Sequence, residues 1–104
     1  MDTSLCKLTI TCPRTDTKRI TDALDGAQPA IPRYVVVEAV EQGHDTALPS
    51  AAERVSGARK ISLLTIVLPK GRVEPLIELV RNASSREGVA YWVEPVADFG
   101  RLVR

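Results

Sequence analysis

The stretch that decides the fold is "KISLLTIVLPKGRVEPLIELVRNASSREGVAYWVEPV", residues 60–96. Its first ten residues are largely apolar and rich in isoleucine and leucine, which predicts a strand that ends at Pro69. In its last ten, residues 87–96, Val89, Tyr91 and Val93 alternate with Ala90, Trp92 and Glu94, which is the period of a half-buried strand. Between them, apolar side chains recur at the spacing of one helix face: Val73, Leu76, Ile77 and Val80. The stretch therefore predicts a β-α-β unit.

The preceding half of the chain repeats this order. "CKLTITC", residues 6–12, alternates like a strand, and "RYVVVEAV", residues 33–40, is β-branched like a second strand. Between them Ile20, Ala23 and Leu24 repeat at helical spacing before Gly26. Two such halves predict an α+β fold, the ferredoxin-like (split βαβ) sandwich of four antiparallel strands with both helices on one face. Residues 1–104 are expected to form a single domain.

A long polar connection separates the two halves. We call residues 41–58 the excursion; they are interrupted by Gly43, Pro49 and Gly57, and residues 50–53, "SAAE", have the spacing of a helix capping box. One short helix is therefore predicted within it. Loops of more than about 12–15 residues in compact domains are usually functional or disordered, so we expect the excursion to recognise a partner.

Composition excludes several classes of function. Fourteen Lys and Arg against thirteen Asp and Glu leave a net charge of +1, so no general attraction to nucleic acid is expected. No apolar run approaches the roughly 18 residues that span a bilayer, and the N-terminus lacks the features of a signal peptide. Cys6 and Cys12 would lie about 20 Å apart on one strand, too far for a disulfide. A cytoplasmic protein with buried free thiols is expected.

Two motifs carry a family resemblance. Near its start the excursion has Gly43 and His44, which are followed by Ser50, Ala52, Glu53, Val55 and Gly57. The second motif is "YWVEPV", residues 91–96, followed by Gly100 and Arg101. Together with the βαβ-βαβ frame, they make the chain similar to the PII-like signalling superfamily, and within it to a small branch first described as a domain of unknown function. Branches of this type accompany carboxysome and bicarbonate-transport systems or heavy-metal efflux pumps.

The resemblance implies a homotrimeric, non-enzymatic regulatory protein with an adenine nucleotide in the clefts between subunits. The excursion would correspond to the T-loop of PII proteins and would contact a membrane transporter or a metabolic enzyme. Nucleotide-binding residues carried over by position come from both halves and from the C-terminal tail: Ile10, Gly43, His44, Leu64, Thr65, Ser85, Arg86, Gly88, Arg101 and Arg104.

Departures from the PII pattern adjust these expectations. The loop at residues 84–88 contains no lysine, and only Arg86 could replace the phosphate-binding lysine of PII proteins, so ADP or AMP is favoured over ATP. The excursion contains no tyrosine, which argues against control by uridylylation. Bicarbonate is a second expected reversible ligand, near Arg59 or Lys60, and no tightly bound cofactor is expected.

Three alternatives stay open from sequence alone. Cys12, His44 and Asp45 could serve a metal-responsive accessory protein of a cation efflux system, although two cysteines and one histidine are sparse for zinc, and no metal site is assigned. An enzyme is the weakest alternative, because no nucleophile–base pair is evident. Tyr91 and Trp92 fit core or interface packing better than base stacking, and the terminal arginines could be solvated instead of ligand-bound.

Overall fold

A computed structural model describes residues 4–43, 58–84 and 88–103. Within these ranges the chain forms four strands and two helices in the predicted order. The elements are β1 (Leu5–Pro13), α1 (Thr17–Asp25), β2 (Val35–Gln42), β3 (Ala58–Pro69), α2 (Val73–Ala83) and β4 (Ala90–Val96). A short 3-10 turn precedes each helix, and Pro75 lies in the first turn of α2, where its missing N–H costs little. The α+β class is thereby confirmed.

The strands form one antiparallel sheet in the order β2-β3-β1-β4. In the register of the sheet, Thr9 at the centre of β1 lies opposite Thr65 on β3 and Trp92 on β4. β2 pairs only with β3, Val35 lying opposite Thr65 and Val37 opposite Leu63. β2 and β4 are therefore the two edges of the sheet.

The core lies between one face of the sheet and the two helices. Side chains of alternate strand residues pack against the apolar stripes of α1 and α2. The even-numbered residues of β1 supply four of them: Cys6, Leu8, Ile10 and Cys12. Both cysteines are buried and free, as predicted. None of the helices within the described residues is long and apolar enough to cross a bilayer.

The second face of the sheet retains exposed apolar side chains. Residues directly opposite in an antiparallel pair share a face, so Val35 and Val37 lie on the same side as Thr65 and Trp92. We call this side the open face. Val37 is 50% exposed and Trp92 is 44% exposed. The indole Nε1 of Trp92 donates to Glu94 Oε1 at 2.9 Å, and Lys7 Nζ lies 3.5 Å from the same oxygen.

The strands on either side of the excursion extend two residues further toward it than predicted. β2 begins at Val35 instead of Arg33, and its pairing continues until Gln42 lies opposite Ala58. Glu41, assigned to the excursion by its polarity, and Arg59, which precedes the strand predicted from residue 60, are therefore strand residues. Backbone pairing does not require apolar side chains, which is why polarity alone misplaced these boundaries. The short helix predicted at residues 50–53 lies outside the described residues.

Candidate functional site

The candidate site is centred on Arg59, the second residue of β3. The residue is only 4% exposed. Its Nη2 donates to the carbonyl oxygen of Gly88 at 2.7 Å, and its Nη1 lies 3.9 Å from Oε1 of Glu41 on β2. Its Nε is buried and has no hydrogen-bond partner within the part of the chain that the structure describes. A buried cation thus joins the ends of β2 and β3 to the turn before β4.

Two properties of glycine at position 88 allow this contact. Its φ of 93° lies in the left-handed region that side chains with a Cβ rarely adopt. A Cβ built on Gly88 would lie 2.5 Å from Nη1 of Arg59, well inside van der Waals contact. The turn therefore requires glycine both for its backbone conformation and for the approach of the guanidinium.

A second arginine and two hydroxyl groups lie near the start of α1. Arg14 Nη2 donates to the carbonyl oxygen of Ala39 on β2 at 2.7 Å and, less closely, to that of Ile61 on β3 at 3.4 Å. Oγ1 of Thr17 and Oγ of Ser62 are 2.6 Å apart. These bonds connect the turn after β1 to the two strands that flank the excursion.

The Cys12 thiol, beside this polar group, is poorly suited to bind a metal. Burial raises the pKa of the Cys12 thiol, which disfavours the thiolate that metals require. Within residues 4–43, 58–84 and 88–103, no cluster of three potential His, Cys, Asp or Glu ligands is found. The metal hypothesis also named His44 and Asp45, which lie outside the described residues.

A cavity of about 260 Å³ lies between the end of α2 and the start of β4. Its walls are mainly apolar, with one guanidinium, one hydroxyl and a tyrosine ring among them. The lining residues are Ile10, Ile77, Val80, Arg81, Ser84, Val89, Ala90 and Tyr91. An apolar cleft with a few polar groups is typical of a small-molecule site. The walls of this one suit a flat apolar ring, and its guanidinium, that of Arg81, is ion-paired with the carboxylate of Glu78.

The structure brings some of the predicted nucleotide-binding residues together. Ile10 lines the cavity, and Gly88 contacts Arg59, the second residue of β3. Gly43 directly follows the last residue of β2 and has a φ of 145°. Gly43 and Gly88 are thus both close to the Glu41–Arg59 pair.

Other predicted residues lie elsewhere. Leu64 is 0% exposed and lies opposite Ile10, itself 1% exposed, so both side chains belong to the core. Thr65 is half-buried on the open face, while Lys60 and Arg101 are exposed. His44, Ser85, Arg86 and Arg104 fall outside the described residues.

Three residues of the candidate site were not predicted from the sequence. Arg81 and the cavity face of Tyr91 carry no local signal, because the cavity forms only where α2 ends beside β4. Glu41 was assigned to the excursion, although its position opposite Arg59 follows from continuing the strand pairing by one residue beyond Val40 and Lys60.

Comparison with known proteins relates this geometry to a family. A family model described as "Protein of unknown function (DUF3240)" matches residues 2–103. No curated protein shows a significant match to the chain. A DUF3240 family protein from Shewanella baltica superposes with a TM-score of 0.77 at 16% identity, covering 98% of this chain and 99% of that one.

Two similar solved structures are PII or PII-like proteins. CPII, a nitrogen regulatory PII-like protein from Thiomonas intermedia bound to ADP, AMP and bicarbonate, has a TM-score of 0.68 at 20% identity, with 93% of both chains covered. Arabidopsis thaliana PII bound to citrate has a TM-score of 0.72 at 19% identity, covering 97% of this chain and 85% of that one. At these identities the likeness establishes a shared fold.

Proposed function

We propose, from the premise that the chain belongs to the DUF3240 family and shares the fold of PII proteins, that it is a PII-like regulatory protein and not an enzyme. In this proposal an adenine nucleotide, ADP or AMP before ATP, binds reversibly at clefts between the subunits of a homotrimer. Bicarbonate acts as a co-effector. The excursion then contacts a membrane transporter or a metabolic enzyme in the cytoplasm.

The observation that carries the proposal is the position of the 260 Å³ cavity. Its lining includes Val89 and Ala90, which directly follow Gly88, and Arg59 joins Gly88 to the ends of β2 and β3. Apolar walls suit a purine ring, and Arg81 in the lining suits a phosphate, because hydrogen bonds between arginine and phosphate are charge-assisted. A ligand there would lie next to the route to the excursion.

The homotrimer is supported by the open face. Val35, Val37 and Trp92 leave an apolar surface on the side of the sheet away from the helices. Surfaces of this kind are usually covered by another chain, and closed symmetry lets identical faces cover one another. Three sheets that turn their open faces toward a common axis would remove this surface from water.

Isothermal titration calorimetry with ADP, AMP and ATP tests the nucleotide site. We expect ADP and AMP to bind more tightly than ATP. Arg101→Ala and Arg81→Ala should each weaken ADP about tenfold, because a hydrogen bond to a charged group contributes about 1.5–3 kcal/mol. Arg72→Ala is a matched control. Arg72 also donates to backbone carbonyls, but to those of Pro29 and Ala30 in the segment before β2. A wild-type protein that binds no adenine nucleotide would refute the site.

The role of the excursion is tested by deleting residues 45–56. Linked sites typically interact by about 1–3 kcal/mol, and the linkage is reciprocal. Bicarbonate should therefore tighten ADP by the same factor by which ADP tightens bicarbonate in the full chain. The deletion should abolish this coupling and the capture of the transporter or enzyme, while ADP affinity stays within a few-fold. Unchanged coupling and capture would mean that the excursion has neither role.

A further inference from the structure

The Arg59–Gly88 contact joins two parts of the sheet that are not hydrogen-bonded neighbours. β1 lies between β3 and β4 in the strand order. The last β1–β3 pair is Pro13 with Ile61, and the first β1–β4 pair is Thr11 with Ala90. Arg59 lies two residues beyond the last β1–β3 pair, and Gly88 lies two residues before the first β1–β4 pair, so the guanidinium bridges β3 and the turn before β4 near the end of β1. It does so between residues 29 positions apart in sequence.

Among the residues that the structure describes, the charge of Arg59 is only partly compensated. One nitrogen donates to a neutral carbonyl, and the nearest carboxylate oxygen of Glu41 is 3.9 Å away on a side chain that is partly exposed. The buried Nε lacks a partner in the described part of the chain. A buried cation with incomplete partners gains stability when negative charge approaches. An anionic ligand beside the Gly88 turn would therefore stabilise the Arg59 side chain in its contacts with Gly88 and Glu41.

We propose that Arg59 is a positioning residue that fastens the Gly88 turn to the ends of β2 and β3, and that it transmits nucleotide binding at the turn to Glu41 and Gly43. Arg59 contacts the protein on both sides and does not itself bind the nucleotide. The transmission rests on the proposed function, whereas the fastening contact does not. Arginine suits this role because separate nitrogens of one rigid, always-charged group reach two acceptors.

A double-mutant cycle tests the contact without any ligand. Gly88→Ala in the wild type meets both the backbone strain and the guanidinium 2.5 Å from the new Cβ. In the Arg59→Ala background only the strain remains. We expect Gly88→Ala to raise the unfolding equilibrium constant, measured in urea, at least tenfold more in the wild type than in that background. Additive effects of the two substitutions would overturn the contact.

Amide hydrogen exchange with and without ADP tests the transmission. In the wild type, ADP should slow exchange at Gly88 and Val89 and also at Glu41 and Gly43. In Arg59→Ala, ADP should still slow exchange at Gly88 and Val89. Its slowing of exchange at Glu41 and Gly43 should fall at least threefold. Arg59→Lys keeps the charge but not the two-nitrogen geometry, so it should restore the ADP-dependent protection at Glu41 only in part.

Different outcomes would overturn the contact, the positioning role of Arg59 and the proposed function. Arg72→Ala removes an arginine that also donates to backbone carbonyls, so it should give the wild-type exchange pattern. Full ADP-dependent protection at Glu41 in Arg59→Ala would overturn the positioning role even if ADP binds well. If ADP changes exchange nowhere in the wild type, the proposed function and the transmission both fail. The double-mutant cycle still decides the contact separately.

Discussion

Tyr34 links a single hydrogen bond to the stability of the fold. Its hydroxyl donates to Oδ1 of Asp25 at 2.6 Å. Partial burial, together with this bond and the nearby negative charge, raises the pKa of Tyr34 from 10.0 to about 12. The folded protein thus holds the phenolic proton more tightly than the unfolded chain does. This contribution to stability is fully present below about pH 10 and is lost as the pH rises through about 12.

Replacing this hydroxyl should remove that part of the pH dependence. We expect wild type to be more stable than Tyr34→Phe at about pH 9, and the difference to shrink by about pH 11. Urea denaturation of both proteins at the two pH values measures it, and the comparison cancels the titration of lysines. A difference that stays constant or grows between the two pH values would show that Tyr34 does not have the raised pKa.

Ser62 offers a second prediction for a single residue. Thr17 donates its only hydroxyl proton to the carbonyl oxygen of Arg14 at 2.8 Å, so Ser62 is the donor in the 2.6 Å contact between the two hydroxyls. Ser62→Ala should cost about 1 kcal/mol of unfolding free energy. Lys18→Ala, which removes an exposed ion pair with Asp22, is the control and should cost less than about 0.5 kcal/mol. Equal costs in urea would contradict the assignment.

The helix α2 acts through its apolar stripe. Leu76 is buried on the side facing the sheet, whereas Glu74 in the same first turn is exposed. Leu76→Ala should lower the unfolding free energy by about 2–5 kcal/mol, because it leaves a cavity in the core. Glu74→Ala should change it by no more than about 1 kcal/mol, since only a favourable charge near the helix N-terminus is lost. Similar effects of the two changes would mean that α2 is not packed as described.

The assembly of the whole molecule is tested on the edge strand β2. Light scattering should give three times the 11.3 kDa of the chain. Val37→Glu places a charge on the open face and should reduce the mass to that of one chain. Val40→Glu is the matched control, because Val40 is equally exposed on the opposite side of the same strand and should leave the mass unchanged. A wild-type mass of one chain would rule out the homotrimer.

The sequence by itself determined the order and type of the elements. Alternation in residues 6–12 and the helical stripe beginning at Val73 are local patterns, and each follows from one segment facing one core. The burial of both cysteines was predictable for the same reason. The ends of β2 and β3 were not, because backbone pairing continued through polar residues that composition assigned to the excursion.

Only the tertiary structure decided how the candidate site is built. Arg59 and Gly88 are 29 residues apart and meet because the pairing of β1 with β3 stops before Arg59 and its pairing with β4 begins only after Gly88. The cavity lined by Arg81 and Tyr91 likewise exists only where α2 and β4 come together. Neither is encoded in a local pattern, since a side chain's distant neighbours depend on strand order and register. For this reason the contact of Arg59 with Gly88 was not predicted, and its predicted contact with an anion stays a prediction.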